Sequence, residues 1–261
     1  MSSLRIFFIG GYLAYRALFT WLRPSIYIPT MFGGTLFQIL FFAYVGRYTG
    51  LKNDEFYVVG NAVQASALAG IFGMAMTIGG ERWTQTLSPL LATPANRIAL
   101  FLGRALPLIA NGVLVSAFGF TLGWLLLDFE LPLRAIPGVA LVVIVSAFAC
   151  TALGLTTGAV GLRARDVFFL ANLVALLLLL FCGVNVPLDA MPGWMQTVGK
   201  GLPLTHGIEA ARELAEGAAF SEVSGLVGTE AAIGAVYALI GFLLFQFFEA
   251  DSRRRATLET M

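Results

Sequence analysis

One histidine, two cysteines and fifteen acidic residues are the whole supply of imidazole, thiol and carboxylate chemistry in this chain of 261 residues. His206 has Asp189 and Glu209 near it in sequence, but no second histidine or thiol stands at ligand spacing, so no metal site is expected. Its place in the run Pro203-Leu204-Thr205-His206 suits structural hydrogen bonding instead. Cys150 and Cys182 both lie inside apolar runs without a Cys-x-x-Cys partner, which reads as inert packing rather than a disulfide framework. Gly193 with Gly199-Lys200 is the nearest look-alike to a phosphate-binding loop. It is one residue too long, and Gly201 stands where a Ser or Thr is required. No catalytic set is therefore expected, and a membrane-embedded enzyme, which would need acid, base, nucleophile or metal groups, is disfavoured.

The elements that would position any chemistry are apolar. Hydrophobic residues make up 58% of the chain and charged residues 12%, about half the share of an ordinary soluble domain. That excludes a soluble globule, which needs more polar surface, and disorder, which needs fewer apolar residues. A net charge of +1 gives no basic surface for nucleic acid. Spanning a bilayer core takes about 20 apolar helical residues. Six stretches qualify: Ile26–Gly46, Phe56–Gly80, Ala105–Leu127, Ala135–Leu162, Val167–Pro187 and Ala231–Phe248. All six are read as helices, because lipid cannot satisfy open backbone groups. None of them contains an Asp, Glu, Lys, Arg or His.

Residues 1–24 read as an in-plane amphipathic helix. At 100° per residue Arg5, Arg16 and Arg23 share one face with Tyr12, while Phe7, Ala14, Leu18 and Trp21 lie opposite. Pro24 ends it. With both termini in the cytoplasm, only Arg47, Lys52, Arg134, Lys200 and Arg212 of the 16 basic residues fall outside. That asymmetry fixes the expected orientation. Two connections are long, an inner one at 81–104 and an outer one at 188–230.

An ionisable group within the spans would mark a proton relay or ion path, and the six stretches offer none. Any pumping force must then arrive from another polypeptide, on the cytoplasmic side. The inner loop suits that contact. Glu81–Leu87 suits one or two helical turns, and Thr93-Pro94 fits an N-cap followed by a first-turn proline.

The run Glu81-Arg82-x-x-x-Thr86-Leu87-x-x-Leu90-Leu91-Ala92-Thr93-Pro94-x-x-Arg97 resembles the coupling-helix motif of ABC-2-type transport permeases. Gln85 and Ser88 depart from the usual glycine and acidic residue beside the Thr-Leu pair. A second match follows in the outer loop: Pro187, Met191-Pro192-Gly193-Trp194-Met195, and Pro203-Leu204-Thr205-His206-x-Ile208-Glu209-Ala210-x-Arg212. The resemblance implies an all-α membrane protein with six spans, forming one transmembrane domain over residues 1–261. An amphipathic helix at 1–24, a cytoplasmic coupling segment at 81–97 and an external loop at 188–230 with re-entrant helices complete it. It implies a permease subunit of the bacterial cytoplasmic (inner) membrane, one half of an exporter. Two ATP-binding-cassette subunits would hold the ATP and Mg²⁺, and this chain no cofactor. A second permease, expected to be identical, would pair with it.

The same resemblance assigns ATPase coupling to Glu81, Arg82, Thr86, Leu87, Thr93, Pro94 and Arg97, and an external gate to Pro192, Trp194, Pro203 and His206. In the second span Asn61, Gln64 and Leu68 share one helical face. With Gln38, Asn172 and Asn185 they are candidates for a substrate path, and equally for hydrogen bonds between helices. Phe32, Phe37, Phe41 and Phe42 form an aromatic wall suited to lipid or packing. An uncharged path favours a hydrophobic or amphipathic, drug-like or antibiotic-like cargo; a lipid-linked glycan is the alternative within the family.

Overall fold

The computed structural model describes residues 8–12, 25, 28–50, 52–83, 97–161, 163 and 166–255, with backbone alone at 79–83, 97–101 and 249–255. Among them every regular element is helical. A short π-turn at Pro29–Gly33 runs into α1, Gly34–Thr49. Then come α2 (Asp54–Trp83), α3 (Arg97–Leu126), α4 (Ile136–Gly161) and α5 (Val167–Phe181). A single 3₁₀ turn at Leu188–Ala190 leads to two short helices, α6 (Gly193–Gly201) and α7 (Thr205–Ala215). The long α8, Phe220–Arg255, ends the described chain.

Five helices are long and apolar enough to cross a membrane: those over Pro29–Thr49, Asp54–Ile78, Leu102–Leu127, Ile136–Gly161 and Phe220–Phe248. The sixth expected stretch, Val167–Pro187, is helical only as far as Phe181. Fifteen residues span roughly 22 Å, short of the 30 Å of a bilayer core. Asp166 starts α5 by accepting the Phe169 N–H at 3.0 Å. The last helix departs the other way. Hydropathy places its start at Ala231, yet it begins at Phe220. Polar Ser221, Glu222, Ser224, Thr229 and Glu230 hide the extra turns from an apolar window. The reading that the spans carry no ionisable residue fails with it, because Glu230 lies inside α8 and is buried. The outer connection 188–230, expected to carry short helices, holds α6 and α7 and the first turns of α8.

The core is the α2–α4 contact, with α8 laid along α4 and α3 along α2. The buried share of the apolar window is 83% for α2 and 67% for α4, against 17% for α8, which sets the first two at the centre. Lipid tails are as apolar as leucine, so packing rather than water exclusion must hold such helices, and small residues let them approach. Gly154 shows how close: a Cβ there would sit 2.9 Å from the Gly70 carbonyl oxygen and from the Ile71 main chain. Thr156 of α4 adds a bond, its hydroxyl donating to the Tyr237 carbonyl of α8 at 2.9 Å.

The periphery stays apolar outward. On α5 Phe169, Leu176 and Leu180 are exposed, and on α1 Phe37 and Phe41. The expected phenylalanine wall divides: Phe32 meets Phe118 edge-on at 4.6 Å and Phe42 packs on the core, while Phe37 and Phe41 face outward. Of the amphipathic segment 1–24, residues 8–12 are helical, and Gly11 abuts the Gly103 carbonyl of α3. Its basic face at Arg5, Arg16 and Arg23 lies outside the described residues.

Candidate functional site

Three polar constellations interrupt this apolar bundle. The first joins α1, α2 and the segment after α5. Asn61 and Gln64 sit one turn apart on α2 and are both buried. Gln38 of α1 donates from its amide nitrogen to the Asn61 oxygen at 2.8 Å and to the Gln64 oxygen at 2.5 Å. Asn61 in turn donates to Asn185 Oδ1 and to the Tyr57 carbonyl, both at 2.8 Å. Four of the six residues proposed from the sequence as a path thus meet in one place. The other two stand apart: Leu68 is one turn further along α2 and half-buried, and Asn172 turns back to the Phe168 carbonyl of its own helix at 2.9 Å. The cluster carries no formal charge. It offers donors and acceptors that exchange at little electrostatic cost, which suits neutral polar groups.

The second constellation builds the end of the bundle where α6 and α7 lie. Here α7 is held at both ends by ionisable side chains, the buried Glu230 and the partly buried Arg212. Leu204 precedes it with φ 89°, a left-handed conformation that favours glycine and is strained for leucine. No side chain of its own caps the helix. Glu230, 1% exposed, reaches across from α8, its carboxylate accepting the Leu204 N–H at 2.6 Å and the Gly207 N–H at 3.2 Å. A carboxylate at a helix N-terminus meets both unpaired donors and the positive end of the dipole.

Near the other end of α7, Arg212 donates from Nη1 to the Gly183 carbonyl at 2.8 Å, and from Nη2 to Val184 at 2.8 Å and Phe56 at 3.1 Å. Its guanidinium carbon lies 3.5 Å from the Phe56 ring centroid. Burial pulls Arg212 down to about 9, which leaves it charged at neutral pH. One arginine therefore joins α7, the start of α2 and the chain just past α5. Beside it lies a cavity of about 430 Å³, walled by Lys52, Glu55, Phe56, Arg212 and Glu216 among others.

The residues expected at an external gate surround this same corner. Pro192 precedes α6 and is exposed. Trp194 packs edge-on against Phe181 at 5.9 Å. The Pro203 carbonyl accepts the Cys182 thiol at 3.5 Å, and His206 Nε2 lies 3.1 Å from the Lys200 carbonyl. The two buried cysteines are free thiols. Among the described residues no group of three His, Cys, Asp or Glu gathers to hold a metal ion.

The third constellation is at the far end. Glu81 and Arg82 fall in the last turn of α2, and Arg97 opens α3. From Phe56 to Glu81 is 25 helical steps, roughly 38 Å. Glu81 and Arg82 thus sit at the opposite end of α2 from the Arg212 clamp. Thr86, Leu87, Thr93 and Pro94 lie outside the described residues.

Sequence reasoning missed two side chains that hold this corner together. Glu230 was assigned to a loop, and Arg212 was counted as an outer charge within a motif. A signal existed for the first. Val223, Val227 and Glu230 recur at helical spacing and are all buried, so extending the helical pattern ten residues upstream puts Glu230 on the inner face. Nothing local marks Arg212 apart from the motif.

The family described as ABC-2 type transporter matches residues 11–215, which ends at the last residue of α7. Nodulation protein J of Rhizobium leguminosarum bv. trifolii is 27% identical over 212 residues, covering 77% of this chain and 74% of that protein.

Proposed function

The chain belongs to the ABC-2 type transporter family, and from that premise we propose that it is the membrane half of an ATP-driven exporter. The family is the permease component rather than the ATPase, and it implies an ABC ATPase partner. On our reading two such subunits bind and hydrolyse ATP with Mg²⁺ and push on two copies of this chain. The push enters through Glu81, Arg82, Thr86, Leu87, Thr93, Pro94 and Arg97. Both termini and this segment face the cytoplasm, and the α6–α7 corner caps the outer exit. The short α5 completes a sixth, shallower passage through the membrane, with α6 and α7 re-entrant beyond it. The cargo is hydrophobic or amphipathic, taken from the cytoplasm or the inner leaflet.

The observation that carries this reading is the state of Glu230. It is the one fully buried carboxylate among the described residues, and both its oxygens are engaged by main-chain N–H groups. A gradient-driven carrier needs a buried group free to exchange protons or ions during its cycle. Here both oxygens are bonded to the start of α7, which supports a structural role for this carboxylate and, with the family, a force supplied by a partner ATPase. The uncharged Gln38–Asn61–Gln64–Asn185 cluster supports a cargo without net charge on its polar part. It also favours a second reading within the same mechanism, export of a lipid-linked glycan, because side-chain amides exchange hydrogen bonds readily with hydroxyls.

The test is ATPase activity of the reconstituted complex with and without cargo. Glu81→Ala and Arg97→Ala are expected to abolish stimulation by cargo while the chain still inserts and still binds its partner. Unchanged stimulation refutes the coupling role. Uphill solute movement in vesicles free of any nucleotide hydrolase refutes the exporter reading itself.

A further inference from the structure

A groove of about 480 Å³ opens where α4 and α8 both begin, under the turn that leads out of α7. It belongs neither to the amide cluster nor to the Arg212 clamp. Its floor is apolar: Pro137 and Leu141 from the first turns of α4, Leu214 from α7, and Phe220 from the start of α8. Leu141 and Phe220 are each 42% exposed, so the floor is open rather than filled by the fold. The size is that of a small-molecule site.

Arg134 is the one charged residue in its wall. This arginine is held in place: Nη2 donates to the Gly217 carbonyl at 3.2 Å. Gly217 has φ 101°, a left-handed conformation that calls for glycine, and the guanidinium lies directly over it, 2.9 Å from where a Cβ would stand. The other N–H groups of a guanidinium form a fork suited to an oxyanion, phosphate above all. The depth fits too. Arg134 comes two residues before α4 and lies over the turn just before α8, so it marks the level at which two spans enter the apolar layer.

The surroundings select among headgroups. Glu222 stands in the first turn of α8, and Glu213 on α7 adjoins Leu214 of the floor. Burial first, then the charges of Glu209, Glu216 and Glu222, raise the Glu213 carboxyl, so these acidic side chains act on one another at the corner where Leu214 and Phe220 border the groove. A net anionic headgroup meets repulsion there. One with an inner phosphate and an outer ammonium meets neither repulsion nor an unpaired charge.

We propose that this groove holds one zwitterionic phospholipid, with its phosphate on Arg134, its ammonium toward the Glu213 and Glu222 side, and an acyl chain along Pro137, Leu141 and Phe220. The lipid fills a gap between α4, α7 and the head of α8, and so ties the α7 corner to the surrounding leaflet.

The experiment is native mass spectrometry of the full-length chain released from nanodiscs of equal phosphatidylethanolamine and phosphatidylglycerol. One phosphatidylethanolamine is expected to remain bound, in preference to phosphatidylglycerol. Arg134→Gln should lower that retention about tenfold, the size of one lost charge-assisted contact, and Arg134→Lys should restore part of it. Glu222→Gln should narrow the preference between the two lipids, and Leu141→Trp, which fills the groove, should lower retention of both. If Arg134→Gln fails to fold, Arg134→Lys and Leu141→Trp decide alone. Preference for phosphatidylglycerol, equal retention of both lipids by the unaltered chain, or retention indifferent to Arg134 and Leu141 overturns the proposal.

Discussion

Replacing Glu230 with alanine tests the least conventional feature of this fold, a helix capped from another span. The carboxylate accepts two main-chain N–H groups, Leu204 at 2.6 Å and Gly207 at 3.2 Å, in a place with 1% exposure. Truncation leaves two buried donors unpaired, at about 1–3 kcal/mol each, or roughly 2–6 kcal/mol against the docked position of α7. It also frees Leu204 from a constraint that holds a strained φ of 89°. Glu230→Gln keeps one carbonyl oxygen but turns its amide N–H₂ toward the second donor, so it should cost about half as much. The readout is hydrogen exchange at the Leu204 and Gly207 amides of the chain in detergent or nanodiscs. A loss of about 2 kcal/mol speeds exchange through local opening about thirtyfold, and Glu230→Ala should reach at least that, with Glu230→Gln between it and the unaltered chain. Exchange at both amides unchanged within about twofold in folded Glu230→Ala protein would refute the reasoning. It would mean that water or a neighbouring group satisfies those donors as well as the carboxylate does.

Two further outcomes follow from the same geometry. Arg212→Lys should not substitute for arginine: a single ammonium cannot span the Gly183, Val184 and Phe56 carbonyls while stacking on the Phe56 ring, and thermal stability should fall nearly as far as in Arg212→Ala. Gly154→Ala should destabilise by about 1–3 kcal/mol, read as a lower melting temperature of the purified chain, because the new methyl meets main-chain atoms of Gly70 and Ile71 at 2.9 Å and the α2–α4 contact must open. Gly193→Ala, whose added Cβ meets nothing within 4 Å, is the matching control.

Composition alone set the class of this protein. With 12% charged residues no water-soluble surface is possible, and in lipid an open backbone must close on itself as helix. Two helix limits were legible too: α5 begins at Val167, where the apolar run starts, and α2 ends in the stretch where Glu81 and Arg82 break the apolar run. Motif spacing put the proposed coupling segment between two spans, and the structure leaves Glu81 in the last turn of α2 and Arg97 at the start of α3. Tertiary structure alone decided where charge enters the interior. Hydropathy weighs each residue by its own transfer from water, so Glu230 reads as a reason to end a span and Arg212 as a surface anchor. Their burial is made tolerable by partners that no local window contains: Glu230 reaches back 26 and 23 residues, and Arg212 reaches 29, 28 and 156. The amide cluster is of the same kind, joining Asn61 to Asn185 across 124 residues. A polar group is admitted to an apolar interior by hydrogen-bond partners, and only the folded chain brings those partners within 3 Å or so of one another.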